Sequence, residues 1–167
     1  MNRLAGYIKF APVLVLAASA FAQAPGGPPA KDIGDMFAYV NKQVLDMAKD
    51  FPAAKYDFRL KPEMRSFGAV IVHIASGNVY AAKAGRGEKV KWDELDPANY
   101  KTKEQAVALL EKSIADATAT LKAATPESFH KSVEPWLSVI EHSGEHYGLL
   151  VAYYRANGSV PPASRKK

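Results

Sequence analysis

From Asp32 the chain reads DIGDMFAYVNKQVLDMAKD, and Ile33, Met36, Phe37, Val40, Val44, Leu45 and Met47 recur near a 3.6-residue period. That spacing predicts a first amphipathic helix. FPAAKYDFRLKP breaks the pattern with Pro52 and Pro62 and predicts a structured loop. Pro62 suits a first helical position, so a second helix is expected to start near it and run through EMRSFGAVIVHIASGNVYAAKAG to a stop at Gly85 or Gly87. Between Gly85 and Tyr100 no period is sustained. The segment is long for a bundle connection, and a crossover along a bundle would need that length. TKEQ at Thr102–Gln105 is a capping box that opens a third helix, which ends before Pro126. TPESFHKSVEP reads as a helical turn and a bend. Ser132 then suits the cap of a last helix with Pro135 in its first turn, closed by Gly158 and Pro161-Pro162. GAVIV is the nearest candidate for a strand, but it lies inside a longer helical pattern. Four long helices with one long connection predict an all-α four-helix bundle.

The segment before Asp32 has a different character. Arg3 and Lys9 precede an apolar run from Phe10 to Phe21 without an acidic residue, and Ala20-Phe21-Ala22 forms an A-x-A site before Gln23. Residues 1–22 therefore read as a secretory signal peptide, which implies a periplasmic or secreted protein. An uncleaved anchor is the competing reading, but the run is shorter than the ~20 residues a membrane span needs. Residues 23–31, with APGGPPA at their centre, read as a Pro/Gly linker, leaving 32–165 for the bundle.

Removing residues 1–22 takes away two cations, so the formal net charge falls from +5 to +3. No run of consecutive Lys or Arg marks a nucleic-acid or lipid surface, and SRKK near the end reads as a solvated tail. Neither nucleic acid nor a membrane is expected as a partner of the mature chain. Cysteine is absent. Disulfides, thiol nucleophiles and thiolate metal ligands are thereby excluded, and any metal chemistry must rest on His, Asp and Glu.

The last helix carries such residues. Val139, His142, Ser143, His146, Leu149, Leu150 and Tyr153 follow the i, i+3, i+4, i+7 spacing of a buried face, so two imidazoles point inward one turn apart. On the second helix Val70, His73, Ile74, Gly77 and Ala81 make a similar stripe. A single inward histidine is usually just hydrogen-bonded in a core. Three are harder to accommodate, because each brings a polar edge whose unpartnered burial costs about 1–3 kcal/mol, and cationic rings would repel one another. A divalent metal removes both objections, since neutral imidazole is a common ligand and i, i+4 spacing lets two nitrogens converge on one ion.

His142-Ser143-Gly144-Glu145-His146 also fits H-x-x-E-H, a zinc-peptidase pattern in which the Glu is general base. That reading needs an acidic third ligand downstream, and no Asp or Glu follows Glu145. Glu145 is better placed at the edge of the site, orienting an imidazole.

The stretch FPAAKYDFRLKPEMRSFGAVIVHIA, the H-x-x-x-H of the last helix and the ending HSGEHYGLLVAYYRANGSVPPASR resemble the DinB-like (DinB/YfiT-type) metalloenzymes, in an exported bacterial branch. The resemblance spans about Asp32 to Arg165. It implies an up-down-down-up bundle with the long crossover between the second and third helices. It also implies a divalent metal held by one histidine of the second helix and two of the last, here His73, His142 and His146. Zinc, nickel and iron all suit such a site. Related proteins imply hydrolase, isomerase or thiol-dependent transferase chemistry on a small molecule, and similar bundles often form homodimers.

Three nitrogen ligands leave a coordination position open, as catalytic sites do. A metal-dependent hydrolase or transferase of unspecified substrate is therefore the leading expectation. The alternatives are a non-catalytic metal- or ligand-binding bundle acting as sensor, carrier or partner module, and a metal-free dimerising bundle. His130 lies in a polar turn and reads as a surface residue. Trp92 and Trp136 read as packing anchors. Tyr56, Tyr147, Tyr153, Tyr154 and Arg155 are candidates to line a pocket, although helical aromatics are more often core. Arg59 and Arg65 flank the loop before the second helix, where an anionic substrate would meet them.

Overall fold

The 3.6-residue spacing of Phe37, Val40, Val44 and Met47 becomes the buried face of the first helix, α1 (Ala30–Asp50). The structure is a computed structural model that describes residues 30–131 and 133–166, without the side chains at 130 and 131. The signal segment, the linker up to residue 29, the Ser132 cap and the His130 side chain lie outside the described residues. The other helices are α2 (Phe67–Gly85), α3 (Lys103–Ala123), the short α4 (Pro126–Lys131) and α5 (Val133–Ala156). Single 3-10 turns lie at Ala53–Lys55, Pro97–Asn99 and Pro162–Ser164. The described residues are all-helical, without a strand, and none of their helices is long and apolar enough to cross a membrane.

Two expected boundaries move. α1 starts at Ala30, taking the last residues expected of the linker. α2 starts at Phe67 rather than near Pro62, because Ser66 caps it, its hydroxyl accepting from the Ala69 N–H at 3.2 Å. Tertiary contacts hold the preceding residues out of the helix. The Phe67 N–H donates to the Phe58 carbonyl at 3.0 Å and the Gly68 N–H to the Tyr56 carbonyl at 2.9 Å. A side chain at Gly68 would crowd the Tyr56 ring, since a Cβ there would lie 3.0 Å from Cδ1.

Other boundaries fall where local chemistry sets them. Thr102 and Gln105 form the expected reciprocal capping box. α2 ends at Gly85, and Gly87, at φ +81°, closes it as the Glu88 and Gly87 N–H groups donate to the Lys83 and Ala84 carbonyls. Gly158, at φ +68°, ends α5 in the same way.

Both α1 and α2 pack against α3 and α5. One apolar cluster gathers Phe51, Tyr56, Phe67, Tyr153 and Tyr154, with the Phe51 and Phe67 rings stacked at 3.9 Å between centroids. The other surrounds Phe37 and Trp136, which meet edge to face at 6.2 Å. Trp136 is thus the packing anchor that the sequence suggests, and Tyr56, Tyr153 and Tyr154 are core residues whose hydroxyls bond to backbone carbonyls.

On each of α1, α2 and α3 one polar residue separates the two clusters. Asn78 donates to Asn41 at 3.1 Å and to Ser113 at 3.3 Å, while Asn41 donates to the Phe37 carbonyl and Ser113 to that of Leu110. α2 is buried well beyond the single stripe read from the sequence, with Ile71, Val72, Ala75, Ser76 and Asn78 also covered. Residues of the α2–α3 connection lie against it. The Leu95 N–H donates to the Ser76 hydroxyl at 3.0 Å, pinning that segment to the helix.

Candidate metal centre

His73 on α2 and His142 and His146 on α5 come together: one ring nitrogen from each lies within 4.8 Å of the others. The i, i+4 pair is brought close by the helix itself, with ring centroids 4.4 Å apart. Packing of α2 against α5 brings His73 within 4.7 Å of both rings by the same measure. His73 is buried, whereas His142 and His146 are only half-buried, so the cluster reaches the surface.

Hydrogen bonds fix two tautomers. His73 Nδ1 lies 3.0 Å from a Glu94 carboxylate oxygen, and an ionised carboxylate can only accept, so His73 carries its proton on Nδ1. Its Nε2 is left with a lone pair facing the cluster. His146 Nδ1–H donates to the His142 carbonyl at 2.9 Å, which frees its Nε2 in the same way. The Nε2 atoms of His73 and His142 stand 3.0 Å apart. With His73 Nε2 unprotonated, His142 Nε2–H donates across that gap, leaving His142 Nδ1 buried without a partner.

The same surroundings favour the neutral form of His73 and His142. Burial foremost, then repulsion from the neighbouring histidines and Arg65, lowers the His142 pKa to about 4. His73 is also lowered, chiefly by burial and the Arg65 charge, with Glu94 working the other way. At Glu94 burial pushes the carboxyl upward. The hydrogen bond from Arg65 and the charges of His73 and Arg65 outweigh that and hold it below its ordinary value. Neutral imidazoles with tautomers set from behind are the form in which histidine ligates a metal. The free Nε2 lone pairs of His73 and His146, with a ring nitrogen of His142 within 4.8 Å of a nitrogen of each, fit a bound cation once the His142 proton moves from Nε2 to Nδ1.

Glu94, which sequence reasoning missed, takes the orienting role expected of Glu145. Glu145 is exposed and bonds to none of the three rings. Arg65, which flanks the loop before α2, pairs with Glu94 through Nη2 at 3.0 Å, and its carbonyl accepts from the Tyr153 hydroxyl. Trp92 is not simply a packing anchor, since its ring lies against both His73 and His142, at 5.8 and 5.1 Å between centroids. Gly77 makes room for this: a Cβ there would stand 3.0 Å from both His142 Nδ1 and Trp92 Cη2. Arg59 donates to the Met64 carbonyl, Arg155 is exposed and Tyr147 packs at the margin of the core.

A comparison with curated proteins gives no match. The family profile of the DinB superfamily matches residues 36–150, a span that holds His73, Glu94, His142 and His146. By that match over most of its length, the chain belongs to the DinB superfamily.

Proposed function

We propose that this protein is an exported metal-dependent enzyme of hydrolase or transferase type, with one divalent ion held by His73, His142 and His146. The observation that carries the reading is the convergence of one ring nitrogen from each of three imidazoles within 4.8 Å while a carboxylate fixes one of them from behind. Zinc, nickel or iron matches the donor set. When bound, such an ion supplies Lewis acidity at a position left open by only three protein ligands.

The chain's own residues prepare that position. Glu94 holds the His73 proton on Nδ1 and keeps Nε2 free. The His142 carbonyl does the same for His146. Arg65 keeps Glu94 ionised, and Trp92 covers one side of the His73 and His142 rings. The half-buried state of His142 and His146 favours access by a small molecule, and so catalysis, over a sealed structural site.

The proposed scaffold is a four-helix bundle of up-down-down-up direction. Supporting it, Lys103 at the start of α3 reaches the Lys49 and Phe51 carbonyls at the end of α1, while Tyr154 near the end of α5 reaches Met47. Gly85 at the end of α2 lies against Thr120 near the end of α3. Export follows from the signal-like residues 1–22.

Metal analysis of natively expressed mature protein tests the centre. One equivalent of a divalent metal is expected, lost in His146→Ala. Metal-free native protein that also fails to take up zinc, nickel or iron would sink the proposal.

A further inference from the structure

Trp92 and Tyr80 form an aromatic wall beside the histidine cluster, and we infer that it binds the neutral aromatic tail of a small-molecule substrate whose head group sits at the metal centre. The inference rests on the metal-centre reading and adds the class of substrate. A cavity of about 310 Å³ lies between α2 and α5, with Trp92, Tyr80 and Val139 as its walls and His73 and His142 as its floor. That size matches the low end of small-molecule sites.

The wall is built rather than incidental. Trp92 keeps 40% of its surface exposed, whereas Trp136, which only packs, keeps 1%. Its ring nevertheless has a defined seat, 5.7 Å from Tyr80 and 5.1 Å from His142 between centroids. Glu94 on His73 and Leu95 on Ser76 anchor the loop to α2 just after Trp92. The absence of a side chain at Gly77 lets the indole approach α2.

The chemistry of the lining selects the tail. Two tilted rings present faces and edges to a third ring, the arrangement aromatic groups prefer. Glu141 lines the same cavity, is exposed and disfavours a negatively charged tail. The polar groups on the floor are imidazoles of the proposed metal site, so the head is a metal-binding group such as a carbonyl or hydroxamate.

The test compares benzohydroxamate with acetohydroxamate on zinc-loaded mature protein by calorimetry, after zinc stoichiometry has been measured. Both carry the same metal-binding head and differ in the ring. Benzohydroxamate is expected to bind about tenfold tighter or more. The gap should close in Trp92→Ala and in Tyr80→Ala, each titrated after its own zinc loading has been measured. Binding should also quench tryptophan emission in the native protein but not in Trp92→Phe. Equal affinities on zinc-loaded protein, or a gap that survives both alanine variants, overturn the inference and leave the metal centre standing. Failure to load zinc, nickel or iron overturns both.

Discussion

His73 donates its Nδ1 proton to Glu94 across 3.0 Å, joining a buried helix residue to the connection between α2 and α3. This bond decides which nitrogen of His73 faces His142 and His146. Carboxylates in this position raise the basicity of a ligating imidazole and fix its orientation, and their loss typically lowers metal affinity 10–100-fold. Glu94→Ala is therefore expected to weaken zinc binding by about that factor with little change in helix content, and Glu94→Gln, whose amide oxygen can still accept, by less. A competition titration with a zinc chelator reads both. Equal zinc affinity in Glu94→Ala and the native protein would remove Glu94 from the site.

The three histidines were legible in the sequence because helical periodicity is local. His142 and His146 share a face by spacing alone, and His73 lies on an apolar stripe of its own. Glu94 and Trp92 were not legible. They sit in a segment without a period, and their contacts reach back to His73 and across to α5, distances along the chain that no local pattern encodes. The start of α2 was missed for a related reason. Pro62 offers a valid local signal for a helix start, but the pairing of Phe67 and Gly68 with Phe58 and Tyr56 is tertiary and holds the chain out of the helix up to Ser66. The capping box, Gly87 and Gly158 were legible because those signals act within a few residues.

Gly77 and Gly144 separate helix propensity from site geometry. Alanine in a helix interior is favoured over glycine by about 1 kcal/mol. At Gly144 a new Cβ meets nothing within 4 Å, so Gly144→Ala should stabilise the protein by up to that amount. At Gly77 the same atom would meet His142 Nδ1 and Trp92 Cη2 at 3.0 Å, forcing the imidazole or the indole to shift. Gly77→Ala is expected to gain less stability and to weaken zinc binding, whereas Gly144→Ala leaves it intact. Urea unfolding with a zinc titration on each variant checks this. A Gly77→Ala protein that gains the full propensity benefit and binds zinc normally would show that the close approach has no role.

Asn78 ties α1 to α3 through Asn41 and Ser113 between two apolar clusters. Replacing it by alanine removes the donor for both partners and leaves their oxygens buried. The expected cost is about 1–3 kcal/mol for the lost hydrogen bonding, with a further loss from the cavity. Chemical denaturation should show the midpoint moving to lower urea with an unchanged slope. Double substitution of Asn78 and Asn41 should cost less than the sum of the single changes, because the second change removes a group the first has already orphaned. Strict additivity would argue that the two amides do not act together.

Asp50 links the end of α1 to the C-terminal segment, accepting from Arg165 Nη1 at 2.9 Å and Nη2 at 2.5 Å and from the Tyr154 hydroxyl at 3.1 Å. The Arg165 hydrogen bond is the main cause holding its carboxyl below the ordinary 3.8, with burial opposing and the Tyr154 hydrogen bond assisting. Between the folded value and 3.8 the unfolded chain binds more protons here than the folded one, so this group's contribution rises with pH across that window. It is complete above 3.8, falls as pH drops through that value and is gone below the folded value. Asn at position 50 keeps the shape but cannot titrate. Native protein should therefore melt above Asp50→Asn at pH 7, and the difference in Tm should shrink as the pH falls below 3.8. A difference that stays constant from pH 7 to pH 2.5 would mean that the Asp50 charge plays no part in fastening the C-terminal segment to α1.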